Sequence, residues 1–413
     1  MEQLKDDILN VRPINLLETA QRLQNRLPIL LEAANTPYRK GEQSVLRHTQ
    51  EVLDALLAVT LDDADYGAPI MTPWWKATPS MYAAALFHDF GRVSARPAAG
   101  EGHSRHSAEI ARTILFKLGI PFEIREHAVS LVLHHTAAER YRHLKGADEK
   151  MLALACMLDV RALYHMRAVH FRALDGAYAR QRLALLEEFR SRALSLDVFG
   201  TPPEPPVSAA DINEAGITKP EDSFLALNLM RYFRVADAIK DPGWYRERLA
   251  QLKNTPAPTM HLMVGIAGSG KSVWLEKNLA GLTRVSTDNV REELTGDAAD
   301  QRMNQIVFQR CMSRVRQALI QAKPVIFDAT NCSVSARQMP VKCARWCNAR
   351  IIAYFFDVEM DTAVKRNRMR ARIVPEEAVA RQFNTLSVPG LYECDELIVV
   401  DESGRARRCW PVG

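Results

Sequence analysis

The sequence predicts a two-domain protein, with an all-α domain first and an α/β domain built on a parallel sheet second. Apolar residues recur at intervals of three and four over residues 8–60 and 80–198, as they do in amphipathic helices. Residues 200–206 read Gly-Thr-Pro-Pro-Glu-Pro-Pro, which cannot continue a helix. After residue 259, short apolar segments alternate with helix-like segments, a pattern typical of parallel strands joined by crossover helices.

The composition is that of a globular protein. A chain of 413 residues has room for two or three domains, and its 47% apolar and 25% charged residues are ordinary. Apolar runs stay far below the ~18 residues of a membrane span, and the acidic Glu2, Asp6 and Asp7 disfavour a leader or transit peptide. We therefore expect a cytoplasmic protein with no membrane partner. The seven cysteines are scattered and odd in number, which predicts reduced thiols.

Three segments follow from these patterns. We expect a helical domain over residues 1–199, a Pro-rich linker with bridging helices over 200–258, and an α/β domain over 259–413. The predicted strands are 260–264, 283–286, 324–327, 351–356 and 396–400. The net charge of +5 lies entirely in residues 261–413, which hold 22 Lys and Arg against 17 Asp and Glu. This excess favours a polyanionic partner for the second domain.

A phosphate-binding loop opens the α/β domain. Residues 265–272 read Gly-Ile-Ala-Gly-Ser-Gly-Lys-Ser, a full match to G-x-x-x-x-G-K-[ST] between a predicted strand and a predicted helix. Backbone amides of such a loop surround phosphate oxygens, and the helix N-terminus adds partial positive charge. Lys271 is expected to reach the β- and γ-phosphates, and the Ser272 hydroxyl to ligate Mg²⁺. The sequence therefore predicts ATP and Mg²⁺ as cofactors. The expected nucleotide contacts in the loop are Gly265, Gly268, Ser269, Gly270, Lys271 and Ser272.

Two aspartates follow predicted strands of this domain. Asp288, in Ser-Thr-Asp-Asn-Val-Arg, is the candidate acceptor of a hydroxyl proton, and Arg291 one turn later can bind a phosphate of the acceptor. Asp328 ends the third predicted strand and can help to hold Mg²⁺ or the acceptor. Purely structural alternatives are an N-cap for Asp288 and an Asx turn for Asp328.

A basic run lies between the fourth and fifth predicted strands. Residues 365–372 hold five Lys and Arg, and the four-residue spacing of Arg366 and Arg370 predicts one shared helix face. Such a helix can form a lid over the transferring phosphate, and the alternative is an ordinary solvated basic helix.

The segment from residue 259 onward resembles the phage-type polynucleotide 5′-kinase family. The matching motifs are the phosphate loop, Ser-x-Asp-x-x-Arg, the Asp-Ala-Thr-Asn that begins at Asp328, and Arg-Asn-x-x-Arg before Val-Pro-Glu-Glu. The resemblance implies that Asp288 is the general base and that Arg291 binds the phosphate of the acceptor. It also implies that Arg366 and Arg370 bind the donor phosphates. Toxin-like and small-molecule kinases have similar elements.

The helical half concentrates nearly all of the 11 histidines within residues 48–170. His88-Asp89 follows the apolar segment 81–87, and the other candidates in helical settings are His48, His103, His135 and Asp159. Imidazoles and carboxylates from separate helices form divalent or transition-metal sites inside helix bundles. Such a metal polarises a phosphoryl oxygen and lowers the pKa of water. The alternative for each histidine is an ordinary structural role.

This half resembles the HD-domain phosphohydrolases, in which one metal is held by His, then His-Asp, then a distant Asp. The resemblance implies His48, His88, Asp89 and Asp159 as ligands, with His103 and His135 on a second metal or on the phosphate. His134 is an alternative to His135, and His106 and His127 could substitute in the same way. Arg92 stands where the family often has a lysine that contacts phosphate. The implied metals are Mn²⁺, Ni²⁺, Co²⁺ or Zn²⁺.

The order of the two halves is similar to that of the bacterial HD-domain polynucleotide kinase-phosphatases. The resemblance implies removal of a 3′-phosphate or 2′,3′-cyclic phosphate and phosphorylation of the 5′-OH on RNA or DNA ends, which a separate ligase would then join. One alternative is a small-molecule kinase fused to a nucleotide phosphohydrolase. Another is a non-catalytic, ATP-driven switch whose helical domain senses a nucleotide. The sequence leaves open the choice between RNA and DNA and the oligomeric state.

Overall fold

The computed structural model describes residues 1–38, 43–60, 77–93, 102–174, 176–252, 257–370 and 372–410. The chain divides into two compact units, Met1–Pro203 and Glu204–Gly413. Among the helices within those ranges, none combines the length and the apolarity that a membrane span requires.

The first unit is built from helices over its described residues, as predicted. They are α1 Glu2–Leu9, α2 Leu16–Arg22, α3 Pro28–Asn35, α4 Val45–Thr60, α5 Ala77–Phe87, α6 His103–Lys117, α7 Phe122–His134, α8 Ala137–Arg140, α9 Ala147–Ala155, α10 Val160–Arg172 and α11 Gly176–Ser195. Residues 81–87 of α5 are apolar and buried, so this helix packs against α4, α7 and α10 together. The carboxyl end of α5 therefore lies inside the unit.

The second unit contains the predicted alternation of strands and helices. Its described strands are β1 Thr259–Val264, β2 Thr283–Ser286, β3 Val325–Asp328, β4 Arg350–Phe356, β5 Glu396–Val400 and β6 Ala406–Trp410. Its described helices are α12 Ala209–Glu214, α13 Pro220–Val235, α14 Pro242–Leu252, α15 Lys271–Asn278, α16 Thr287–Thr295, α17 Asn304–Ile320, α18 Val334–Trp346, α19 Met360–Arg368 and α20 Glu376–Thr385.

The sheet has the order β2-β3-β1-β4-β5-β6 and is parallel from β2 to β5. The five predicted strands are parallel, but the sheet has a sixth, unpredicted strand at one edge, where β6 runs antiparallel to β5. This strand escaped the sequence pattern because only its last two residues, Cys409 and Trp410, are buried. In the register of β2 and β3, Ser286 lies opposite Asp328. The carboxyl ends of β1, β2 and β3 thus meet at one edge of the sheet.

Helices α12 to α14, which the sequence left between the two halves, lie within the second unit. The ring of Phe233 in α13 lies 5.2 Å from the ring of Trp346 in α18. Arg248 of α14 donates a hydrogen bond of 3.0 Å to the carbonyl oxygen of Trp346. Aromatic packing and a main-chain contact therefore join α13 and α14 to α18 of the α/β domain.

Candidate active sites

The phosphate loop connects β1 to α15, as its sequence predicts. Gly268 and Gly270 have φ values of +80° and +93°, in the left-handed region that favours glycine. A Cβ atom at Gly268 would lie 2.1 Å from the carbonyl oxygen of Ala363 in α19. The loop is therefore closely covered by α19, and the basic run that ends this helix lies beside the loop.

Lys271 begins α15 and points back over the loop. Its Nζ donates to the carbonyl oxygens of Gly265, at 2.7 Å, and Ile266, at 2.8 Å. Burial lowers the pKa of Lys271, and the nearby carboxylate of Asp328 opposes that shift. The ammonium group thus lies at the mouth of the loop, where a phosphate would offer it stronger, charge-assisted bonds.

Asp328 at the end of β3 is buried and lies close to Ser272. Arg284 of β2, an arginine that the sequence did not single out, contacts both Asp328 and Ser272. Its Nε lies 3.0 Å from Asp328 Oδ2, and its Nη2 contacts the same oxygen and lies 3.3 Å from Ser272 Oγ. Arg284 pairs with Ile326, so it is a diagonal neighbour of Asp328 on one face of the sheet. Only the strand register, which the sequence does not show, could have identified it.

Asp288 lies in the first turn of α16, directly after β2, and is half exposed. Its Oδ1 accepts a 2.8 Å bond from Arg291 Nη1, and its Oδ2 lies 3.1 Å from Arg372 Nη1. Arg291 is buried and also donates to the carbonyl oxygen of Ala298 and to Asn304. Arg291 is therefore fixed by the protein, whereas the partly exposed Arg372 comes from the basic run.

The prediction that Arg366 and Arg370 share one helix face is wrong. Helix α19 ends at Arg368, so Arg370 lies in the following turn and does not share a helix face with Arg366. The physical reason is Asn367, whose buried amide exchanges two hydrogen bonds with the backbone of Val374 and turns the chain. Arg366 remains beside the loop, with Nη1 3.8 Å from the Cβ position of Gly270.

In the first unit, four side chains from α4, α10 and the turn after α5 converge on one point. They are His48, His88, Asp89 and His170, and their candidate ligand atoms lie within 4.8 Å of one another. His88 Nε2 lies 2.9 Å from His170 Nδ1, and His48 Nε2 lies 3.2 Å from the same nitrogen. All four residues are buried.

A second group shares Asp89 with the first. It joins Asp89, His103 and His135, with His103 Nε2 2.9 Å from Asp89 Oδ1. Asp89 Oδ2 faces the first group, 3.3 Å from His88 Nε2. The two oxygens of one carboxylate therefore face two different sets of imidazoles. Arg92 Nε also contacts Asp89 Oδ1, at 2.9 Å, from a partly exposed position at this site.

Burial lowers the pKa of three of these imidazoles, those of His48, His135 and His170, and so favours the neutral form that can ligate a metal. The Nδ1 of His88 lies 2.8 Å from the carbonyl oxygen of Ala85, and that of His135 lies 2.6 Å from Val132 O, which orients each Nε2 towards Asp89. Burial lowers the pKa of His48 to about 3 and holds the pKa of His170 well below its ordinary value. Burial alone would raise the pKa of Asp89, but the adjacent His88, the hydrogen bond from His103 and Arg92 keep it well below the ordinary value.

Asp159 is the ligand predicted for this half that the structure places elsewhere. It caps α10, where its carboxylate accepts from the backbone of Arg161 at 2.8 Å and of Ala162 at 3.2 Å. His170 lies eleven residues further along α10, or roughly 16 Å along the axis at 1.5 Å per residue. The sequence did contain a pattern that could have identified His170. It follows Leu163 and Met166 at the spacing of one helix face, and both of these residues are buried.

The structure also separates the alternative histidines. His135, and not His134, joins the second group. His106 lies on α6 beside Glu109, at 3.1 Å. His127 accepts a 3.2 Å hydrogen bond from the backbone of Asp159. Neither His106 nor His127 belongs to a ligand group among the described residues.

A known family matches part of the second unit. Residues 260–389 match a family model described as an AAA domain. The chain is 25% identical over 184 residues to a putative bifunctional polynucleotide kinase/RNA ligase of Autographa californica nuclear polyhedrosis virus. That match covers 40% of this chain but only 26% of the viral protein, so the chain spans about a quarter of its relative. A gluconokinase from Sinorhizobium meliloti 1021 is 17% identical, with 37% of this chain and 86% of the gluconokinase covered. Its TM-score of 0.27 is too low to support an argument.

Proposed function

We propose that the second unit is an ATP-dependent kinase that phosphorylates the 5′-hydroxyl of polynucleotides. The observation that carries this proposal is the convergence of the phosphate loop, Asp288 and Asp328 from three adjacent strands at one sheet edge. The viral relative, named as a polynucleotide kinase, supports the choice of acceptor. The basic excess of this half agrees with a polyanionic substrate.

The roles follow from the contacts. The amides of the loop and Lys271 would hold the β- and γ-phosphates, with Arg366 and Arg370 above them. Asp288 would accept the proton of the 5′-hydroxyl as its oxygen attacks the γ-phosphorus, and ADP would leave. Arg291, fixed by three bonds, would hold Asp288 in place.

The oxygens of Ser272 and Asp328 fit a divalent cation. A cationic group, the guanidinium of Arg284, already contacts both of them. Ser272 and Asp328 would therefore hold Mg²⁺, which when bound neutralises charge on the transferring phosphates.

We further propose that the first unit is a metal-dependent phosphohydrolase acting on 3′-phosphate or 2′,3′-cyclic phosphate ends. The supporting observation is Asp89, whose two oxygens face separate groups of imidazoles, most of them buried. Asp89 Oδ2 is buried without a hydrogen-bond partner among the described residues, as a metal-ligating oxygen would be. Imidazole and carboxylate suit Mn²⁺, Ni²⁺, Co²⁺ or Zn²⁺, which would supply Lewis-acid charge to a phosphoryl oxygen. Arg92 would bind the phosphate.

The kinase proposal is tested with radiolabelled ATP on 5′-OH oligonucleotides and on free nucleosides. We expect label on the oligonucleotide, and loss of transfer in Lys271→Ala. Asp288→Asn should keep ATP affinity but lower turnover by about 100-fold or more, the usual effect of losing a general base. Glu293→Gln, on the same helix in an exposed pair with Arg314, is the matched control.

The outcomes separate the competing functions. Transfer to nucleosides alone would favour the small-molecule kinase. ATP binding without transfer to either acceptor would favour the ATP-driven switch. Near wild-type turnover in Asp288→Asn would show that another group takes the proton.

A further inference from the structure

Arg284 occupies the space between two oxygens that the proposed kinase chemistry requires for a cation. Its guanidinium contacts Asp328 Oδ2 through Nε and Nη2, and Nη2 lies 3.3 Å from Ser272 Oγ. Asp328 is nine-tenths buried, while the side chain of Arg284 is 30% exposed. The carboxylate therefore has a fixed position, and the arginine reaches it from the surface of the sheet.

The Arg284 contact and a bound Mg²⁺ exclude each other. Mg²⁺ binds oxygen at about 2.0–2.1 Å with near-octahedral geometry and keeps several waters. That shell cannot fit where a planar guanidinium lies within hydrogen-bond distance of both ligand oxygens. Lys271, whose pKa Asp328 influences, adds a second positive charge nearby. A third cation could enter only if Arg284 leaves.

We infer that Arg284 competes with the divalent cation for Ser272 and Asp328, and so sets the Mg²⁺ concentration at which the second unit binds nucleotide. This inference rests on the proposed nucleotide site and adds to it a positioning residue. When one contact must break before another forms, the apparent affinity falls by the fraction of molecules in which the site is open. Removing the guanidinium should therefore tighten cation binding.

The test measures cation binding directly on the full chain. Mn²⁺ serves as the probe, followed by electron paramagnetic resonance in the presence of a non-hydrolysable ATP analogue. We expect Arg284→Gln to lower the half-saturating Mn²⁺ concentration by about 1.5-fold to fivefold, the range for a partly exposed ion pair. Arg284→Lys, which keeps the charge but loses the planar fork, should fall in between.

Two controls separate this effect from a general change in charge. Arg314→Gln also removes one positive charge from the unit, at an exposed pair with Glu293, and should leave the Mn²⁺ dependence unchanged. Affinity for the analogue in excess chelator should not rise in Arg284→Gln, because Arg284 acts on the cation.

The outcomes are distinct. If the wild-type protein binds no nucleotide with Mn²⁺, the proposed function fails, and the inference fails with it. If the wild type binds but Arg284→Gln has an unchanged or higher half-saturating Mn²⁺ concentration, the inference alone is overturned, and Arg284 is a structural partner of Asp328.

Discussion

At the scale of single residues, α10 carries two polar side chains with different roles, a cap at its start and a candidate metal ligand near its end. The carboxylate of Asp159 accepts hydrogen bonds from the backbone of the first turn, while His170 on the last turn faces His48 and His88. A capping carboxylate and a metal ligand need different neighbours, since the cap must face backbone amides. Substitution of Asp159 should therefore affect stability, whereas substitution of His170 should affect metal content.

We expect Asp159→Ala to lower the free energy of unfolding of the first unit by about 1 kcal/mol, the usual cost of a lost N-cap, with metal content unchanged. His170→Ala should lower metal content, as should Asp89→Ala. Elemental analysis of purified protein and urea unfolding measure the two quantities. If Asp159→Ala lost its metal while His170→Ala kept full metal occupancy, Asp159 and not His170 would be the ligand.

At the scale of elements, His127 ties α7 to the start of α10. Its imidazole accepts the backbone N–H of Asp159, and burial lowers its pKa to about 3 from 6.5. Because the folded-state pKa is depressed, the unfolded chain takes up the proton first as pH falls. Stability from neutral His127 is therefore complete above about pH 7 and is lost as the pH falls towards 3.

We expect the lowered pKa of His127 to cost roughly 2 kcal/mol of stability between pH 7 and pH 5, at about 1.4 kcal/mol per pKa unit. Urea unfolding of the wild type and of His127→Gln at both pH values isolates this contribution, because the other histidines are common to both. The variant should lose less stability on acidification. Equal losses in the two proteins would mean that His127 titrates normally in the fold.

At the scale of the whole molecule, we expect the kinase and phosphohydrolase activities proposed above to be separable. The histidine groups lie within Met1–Pro203, the phosphate loop lies within Glu204–Gly413, and each unit buries its own apolar residues. Mutations in sites that share no residue and belong to separate compact units are expected to behave additively. Lys271→Ala should therefore spare removal of 3′-phosphates, and Asp89→Ala should spare 5′-phosphorylation.

Fragments cut between Pro203 and Glu204 extend this test, because helices α12 to α14 then stay with the sheet. We expect phosphohydrolase activity in residues 1–203 and kinase activity in residues 204–413. Both activities are measured for every variant and fragment. A well-folded Lys271→Ala protein that no longer hydrolyses 3′-phosphates would show that the sites are coupled.

Local patterns predicted much of this architecture. The phosphate loop, the five parallel strands and the helical first unit all follow from spacing that neighbouring residues impose. What the sequence missed depends on long-range geometry. Arg284 meets Asp328 only through the register of β2 and β3, and His170 meets His88 only through the packing of α10 on α5. Arg370 leaves the helix because Asn367 binds Val374 seven residues away.

The close approach of α19 to Gly268 has a consequence in genetic terms. Because a methyl group at position 268 would meet Ala363 O at 2.1 Å, the glycine and the helix backbone constrain each other. Second-site suppressors of Gly268→Ala should therefore arise in α19, where a small outward shift makes room. Such suppressors would be incomplete, since alanine also disfavours the +80° φ of this position. A shift of α19 would also move Arg366, so selection for a functional loop at position 268 would favour substitutions in α19.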